Sequence, residues 1–293
     1  MTLFELALVL GSALLHASWS VSIKSSSDPL CFNLLQSWVG VVLLGAMAPF
    51  VSFGEIPASV WRLLVAAGIS HGLYMYWMSR AYEHGDLSLV YPIARSTPAF
   101  MPLLAVPLLG ETLSPGGVAG IGVVVCGIWL VYGARRWTLQ IFAEPAARFA
   151  FLTLAATVAY SLIDKASMRE LASVPWTSPV PRAVVLSVLL FVAYLLTFAP
   201  LVLRRRGPSA LREAARRELP KATLAAVISF ASYTLILAAL QTAAVSYVVA
   251  VRQSSVLFAV VLGALFLGER PGRERVLGAA LTVLGVALIA RFS

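Results

Sequence analysis

The chain has 293 residues, of which 60% are hydrophobic and only 12% charged, with a mean hydropathy of +0.88. So few charges cannot cover the surface of a soluble domain of this size, so the class is an integral membrane protein. The net charge of +9 would suggest nucleic acid in a soluble chain; here it reads instead as loop charge that sets membrane topology, with no nucleic-acid partner.

Continuous apolar runs of about 20 residues can cross a hydrocarbon core of roughly 30 Å as helices. Ten such spans are expected, near 3–23, 30–50, 60–82, 87–109, 115–135, 147–168, 179–202, 221–241, 245–267 and 273–292. Because the runs do not alternate with period two, the expected fold is all-α and not a barrel. The opening MTLFELALVLGSALLHASWS has no basic n-region and carries Glu5, so the first span is expected to be retained and not cleaved. Cys31 and Cys126 lack metal-type spacing and are expected to be buried small hydrophobes.

Polar side chains inside such spans are costly and therefore informative. In the first span His16, Trp19 and Ser20 fall on one side; His16 suits either substrate binding with titration near neutral pH or a hydrogen-bonded place in the bundle. The third span is aromatic, and Tyr74, Trp77 and Met78 share a stripe that His71 joins one turn earlier. Such a stripe suits a cavity wall able to hold apolar groups or, by cation–π contact, an ammonium. The fourth span places Tyr91, Arg95 and Pro98 at i, i+4, i+7, while Pro92, Pro98, Pro102 and Pro107 must kink or loosen it. Arg95 fits a carboxylate with its planar fork, or equally a structural pairing with Asp164 or a carbonyl. In the sixth span Tyr160 and Asp164 lie one turn apart with Lys165 about 100° away. Asp164 is the expected group if protons couple to the cycle, against a structural ion pair with Lys165, Arg95 or Arg252. Ser229, Ser232 and Tyr233 add hydrogen-bonding groups in the eighth span, and Arg252 and Gln253 lie within the ninth.

The chain also repeats itself. At an offset of 158, residues 87–132 lie without a gap over 245–290 with 13 identities in 46 positions. These include Ser96/Ser254, Phe100/Phe258, Gly110/Gly268, Glu111/Glu269, Gly120/Gly278 and Gly127/Gly285. At an offset of 141, WSVSIKSS (19–26) lies over YSLIDKAS (160–167). Two halves of five spans each follow, 1–140 and 141–293. An odd number of spans per half inverts one half relative to the other. Glu111 and Glu269 then sit at opposite faces and read as caps or loop anchors, while Gly116, Gly117, Gly120, Gly127, Gly278 and Gly285 let the fifth and tenth spans approach their neighbours closely. Counting Lys and Arg by alternate sides gives 15 against 4, so both termini are expected to be extracytoplasmic.

Two five-span repeats, with Gly-Glu after the fourth span of each and a Gly-rich fifth, resemble the EamA-type members of the drug/metabolite transporter superfamily. VYPIARSTPAFMPLLAVPLLGETLSPGGVAGIGVVVCGIWLV and the aromatic HASWSVSIK carry the likeness, while VAVRQSSVL replaces a proline-containing segment common in relatives. The resemblance implies a secondary transporter of the bacterial inner membrane, often an exporter of amino acids or other small metabolites. A multidrug efflux transporter for cationic compounds is the alternative, and a polytopic enzyme a weaker one, since HExxH, GxSxG and paired acids are missing from the sequence; the missing phosphate loop argues against an ATP-driven pump. No cofactor or metal is expected; the expected partners are a small-molecule substrate, the lipid bilayer and protons. The central cavity is expected between spans 1, 3, 4, 6, 8 and 9.

Overall fold

A computed structural model describes residues 1–84, 87–131, 144–258, 260–261 and 272–293. Among them there are helices and no strand. The helices are α1 (Leu3–Lys24), α2 (Pro29–Met47), α3 (Ala58–His84), α4 (Leu87–Ala94), α5 (Thr97–Leu109), α6 (Pro115–Val131), α7 (Pro145–Ala172), α8 (Arg182–Leu240), α9 (Val245–Arg252) and α10 (Arg273–Phe292). Two short 3₁₀ turns join α2 to α3. Local chemistry sets the starts: Asp28 caps α2 by accepting from Leu30 N and Cys31 N at 2.9 and 3.1 Å, with Pro29 at the first helical position. Among the described residues six helices are long and apolar enough to cross a membrane, and Pro115–Val131 and Val245–Phe258 are shorter apolar ones.

These helices do not map one to one onto the ten expected spans, because those at 179–202 and 221–241 are joined in α8 and the fourth is split between α4 and α5. A 59-residue helix would be about 90 Å long if straight, far beyond a bilayer. It is not straight. Gly207 breaks it at φ 77, ψ 166, and the limbs fold back: Thr234 Oγ1 donates to Ser187 Oγ at 2.9 Å, and the Phe191 and Phe230 rings meet edge-on at 5.7 Å. Contacts at 187 with 234 and 191 with 230 make the limbs antiparallel. The connection expected as a basic loop at 204–220 is therefore helical outside Gly207. Its alanine-rich composition and the Glu213–Arg217 pair one turn apart, at 2.6 Å, favour that state.

The fourth span departs from a single helix in the other direction. It breaks after Ala94 and resumes at Thr97, since Pro98 has no N–H to bond the Ala94 carbonyl four residues back and its ring crowds that carbonyl, while near the start of the resumed helix a proline is tolerated. The ninth span breaks at the matching place, α9 ending at Arg252 and helix resuming at residue 255. No proline lies there. Gln253 N and Ser254 N instead bond to Ala250 O and Val251 O, three residues back, at 3.1 and 3.0 Å, which tightens the turn.

Glycines bring the backbones of α6 and α10 together. A Cβ built on Gly120 would meet Gly285 O at 2.9 Å, and one on Gly278 would meet Gly127 O at 2.6 Å. The partner falls in number as the residue rises, so the helices are antiparallel. The two contacts also exchange under the 158-residue offset, as expected of halves related by a two-fold axis across both helices. Cys31 is buried, but Cys126 on α6 is exposed, which corrects the expectation of two buried thiols: an apolar small side chain is equally at home facing lipid.

Basic residues assigned to the inner side gather at one end with two acids. Arg206 contacts Asp28 and Glu83, each at 2.6 Å, and Glu83 also takes Arg205 and Arg80 at 3.2 and 2.5 Å. At the opposite end the Met1 ammonium donates to Ser293 Oγ at 2.8 Å.

Candidate functional site

The two helix breaks open onto one small cavity of about 40 Å³, room for about three or four waters at roughly 10–15 Å³ each. His16 of α1, Tyr74 and Met78 of α3, and Thr157, Tyr160 and Ser161 of α7 form its walls. Ala94, Arg95 and Thr97 enter from the first break, and Val249, Arg252 and Gln253 from the second. Arg95 and Gln253 are related by the 158-residue offset and lie in the same cavity.

The polar groups are arranged in two sets. Across the cavity, Arg95 Nη2 donates to His16 Nε2 at 2.8 Å. His16 is buried, and its ring lies 5.1 Å from that of Trp19. At the breaks, Ser96 Oγ donates to Pro92 O at 2.6 Å, recovering a carbonyl that the interrupted helix would leave without a partner, and Trp129 Nε1 donates to Ser96 Oγ at 3.0 Å. Ser254 Oγ, at the matching position, has no hydrogen-bond partner among the described residues. Neither do Gln253 Oε1, Arg252 Nε and Thr97 Oγ1. Buried polar atoms are normally satisfied, so this cluster marks where a ligand or water would bond.

Behind the cavity wall formed by Tyr160, Asp164 is fully buried, accepts from the Tyr233 hydroxyl and shares a hydrogen bond of 3.0 Å with His71 Nε2. The Tyr160 ring stacks on His71 at 4.0 Å and meets Tyr74 edge-on at 5.4 Å. Arg252 lies over the Tyr233 ring at 5.4 Å.

The residues singled out in the sequence are therefore partly gathered. His16, Tyr74, Met78, Arg95, Tyr160, Arg252 and Gln253 line the cavity. Trp19 does not; it donates to Gln36 Oε1 at 2.7 Å and packs with Phe32, Ala222 and Ala225. Trp77 is half-buried outside the lining. Tyr91 belongs to α4, but its side chain lies outside what is described, as do Gly268 and Glu269. The face shared by Tyr91, Arg95 and Pro98 does not persist, because the helix ends between them. Asp164 pairs with His71 and not with Lys165, Arg95 or Arg252; Lys165 turns to the carbonyls of Leu240 and Ala243, both at 2.8 Å. Thr157 and Ser161 were overlooked in the sequence, although Thr157, Tyr160, Ser161 and Asp164 follow i, i+3, i+4, i+7 on α7. Thr97 was visible only through the break.

Glu111 is an anchor between the halves. Gly110 ends α5 in the left-handed region at φ 68. Glu111 then accepts from Val245 N and, at 3.3 and 2.7 Å, from Ser246 N and Oγ, capping α9.

Apolar helices in two related halves, with paired helix breaks meeting at a polar cavity, form the architecture of a membrane transporter of small molecules. The sequence profile of the EamA-like transporter family matches residues 3–133 and 145–291, and the chain belongs to that family. No functionally curated protein matches it. One solved crystal structure superposes with a TM-score of 0.70 over 99% of this chain and 97% of its own, at 19% identity, a likeness of fold alone.

Proposed function

We propose that the chain is a secondary transporter that moves amino acids or similar small metabolites across the bacterial inner membrane, in the export direction, by alternating access of its two halves around the cavity. Both termini would then be extracytoplasmic. One observation carries the substrate class: the described lining contains two arginines, Arg95 and Arg252, and no acid. A carboxylate answers that charge. Tyr74, Tyr160 and the Gln253 carbonyl offer an ammonium its cation–π and hydrogen-bonding partners.

At about 40 Å³ the cavity has room for only a few waters, and the solute enters as the halves part. The breaks at 95–96 and 253–254 are where such motion would be taken up, because interrupted helices can bend without losing further hydrogen bonds. The aromatic wall also suits a cationic drug, which is the second reading, but a cation would meet two arginines without an acid beside it. Counterflow into proteoliposomes loaded with labelled L-amino acids separates the two. Exchange of amino acids is expected; efflux of a cationic dye with no amino-acid exchange would sink the proposal.

A further inference from the structure

The cavity leaves one buried titratable cluster unused. His71 of α3, Asp164 of α7 and Tyr233 of α8 meet behind Tyr160, with the Tyr233 hydroxyl bonded to Asp164 and 3.3 Å from His71 Nε2. Asp164 Oδ1 has no hydrogen-bond partner among the described residues. The other charged or titratable groups facing the cluster are Tyr74 from α3, Tyr160 from α7 and Arg252 from α9. Arg95 and His16 lie across the cavity, and Lys165 is engaged at the end of α8.

We propose that His71, Asp164 and Tyr233 form a proton-binding site, holding one exchangeable proton that is coupled to the solute in the cavity through Tyr160. The proposal rests on the transporter reading above. A carboxylate inside a membrane bundle needs a neutralising partner. Imidazole and carboxyl together hold one proton, on Nε2 or on an Asp164 oxygen, and the pair is then neutral overall. Loss of that proton leaves an anion facing a neutral imidazole, supported by the Tyr233 hydroxyl and, beyond that ring, by Arg252. The net charge of the pair falls from zero to minus one, and the N–H that the neutral imidazole keeps lies on Nδ1 or on Nε2, so the charge and polarity of the ring change. The Tyr160 ring, stacked on that imidazole and forming the cavity wall, feels the change at 4.0 Å. A solute that presses on Tyr160 biases the same equilibrium from the other side, since coupling is reciprocal. The proton enters from one face of the membrane and leaves to the other with no change besides the N–H or O–H bond made and broken.

The test uses the full chain with two independent readouts. In micelles, ¹⁵N-histidine spectra are followed from pH 5 to 9, with His71 assigned by H71Q among the three histidines. His71 should change protonation within that range and its titration should be displaced in D164N. In proteoliposomes, accumulation of labelled L-amino acids is compared with and without a one-unit pH gradient. The ratio should reach about tenfold for one proton per solute and fall to one in D164N, while Y233F shifts its pH profile without abolishing it. If D164N does not fold, as judged by size exclusion, Y233F and H71Q carry the comparison. A His71 state that is constant across the range, a ratio unchanged in D164N, or accumulation driven only by sodium would overturn the proposal. If no amino acid moves but the Asp164-dependent titration is present, the proton site stands and the amino-acid reading falls.

Discussion

Arg95 and His16 are joined across the cavity by a guanidinium-to-imidazole hydrogen bond of 2.8 Å. A guanidinium can only donate, so Nε2 of His16 accepts and its ring proton sits on Nδ1. One edge of the fork is thereby spent on positioning. Removing the side chain in R95A should raise the KM for amino-acid counterflow by about 10- to 100-fold, the effect of one charged hydrogen bond of roughly 1.5–3 kcal/mol. R95K restores the charge without the fork and should fall between the two. A KM unchanged in R95A, with the protein folded, would assign this arginine to structure.

Gly278 and Gly122 make a paired test of helix packing. A Cβ on Gly278 would sit 2.5 Å from Val131 N and 2.6 Å from Gly127 O, whereas one on Gly122 meets nothing within 4 Å. Backbone cannot swing aside like a flexible side chain, so G278A must part α6 from α10 at about 1–3 kcal/mol. G122A should be neutral or raise stability slightly, because alanine suits a helix better than glycine. Thermal unfolding in detergent reads both, and equal melting temperatures would contradict the close approach.

The sequence made the apolar spans, the duplicated halves and the glycine contacts legible, since each depends on residue type at fixed spacing. Arg95 and Gln253 could be matched by offset alone. The break at Arg95 was signalled by Pro92 and Pro98, but the one at Gln253 has no proline and follows from hydrogen bonds to residues three back. The pairing of Asp164 was not legible, because its partners His71 and Tyr233 come from helices 93 and 69 residues away. Trp19 shows the converse limit: helical spacing put it beside His16, yet its indole N–H is satisfied by Gln36 and its ring is taken up in packing.

Glu55 supplies a pH dependence outside the spans. It accepts from Thr177, through the hydroxyl and through the backbone N–H at 3.1 Å, and these bonds hold its carboxyl below the ordinary carboxylate range. A carboxyl lowered on folding stabilises above its unfolded value, about 4.3, and loses that contribution as pH falls through the folded value. The melting temperature of wild type should therefore exceed that of E55Q near pH 7, and the gap should close toward pH 3. A gap that widens on acidification would reverse the sign and refute the assignment.

Glu111 offers a stability test that is also a test of how the halves are joined. Its carboxylate crosses from the end of α5 to the first residues of α9, where Val245 N, Ser246 N and Ser246 Oγ all donate to it. Those N–H groups have no partner within their own helix, and a negative charge there is favoured by the helix dipole as well. E111A removes both contributions and should lower stability by about 1–2 kcal/mol, the usual scale for losing an N-terminal cap. E111Q keeps one carbonyl acceptor but no charge, so it should recover part of the loss at high salt and less at low salt. Because α9 carries Arg252 at its other end, loosening its start also relaxes the cavity. Amino-acid counterflow in E111A should show a raised KM even though residue 111 is not among the cavity-lining residues. A fall in melting temperature with an unaltered KM would confine Glu111 to holding the fold.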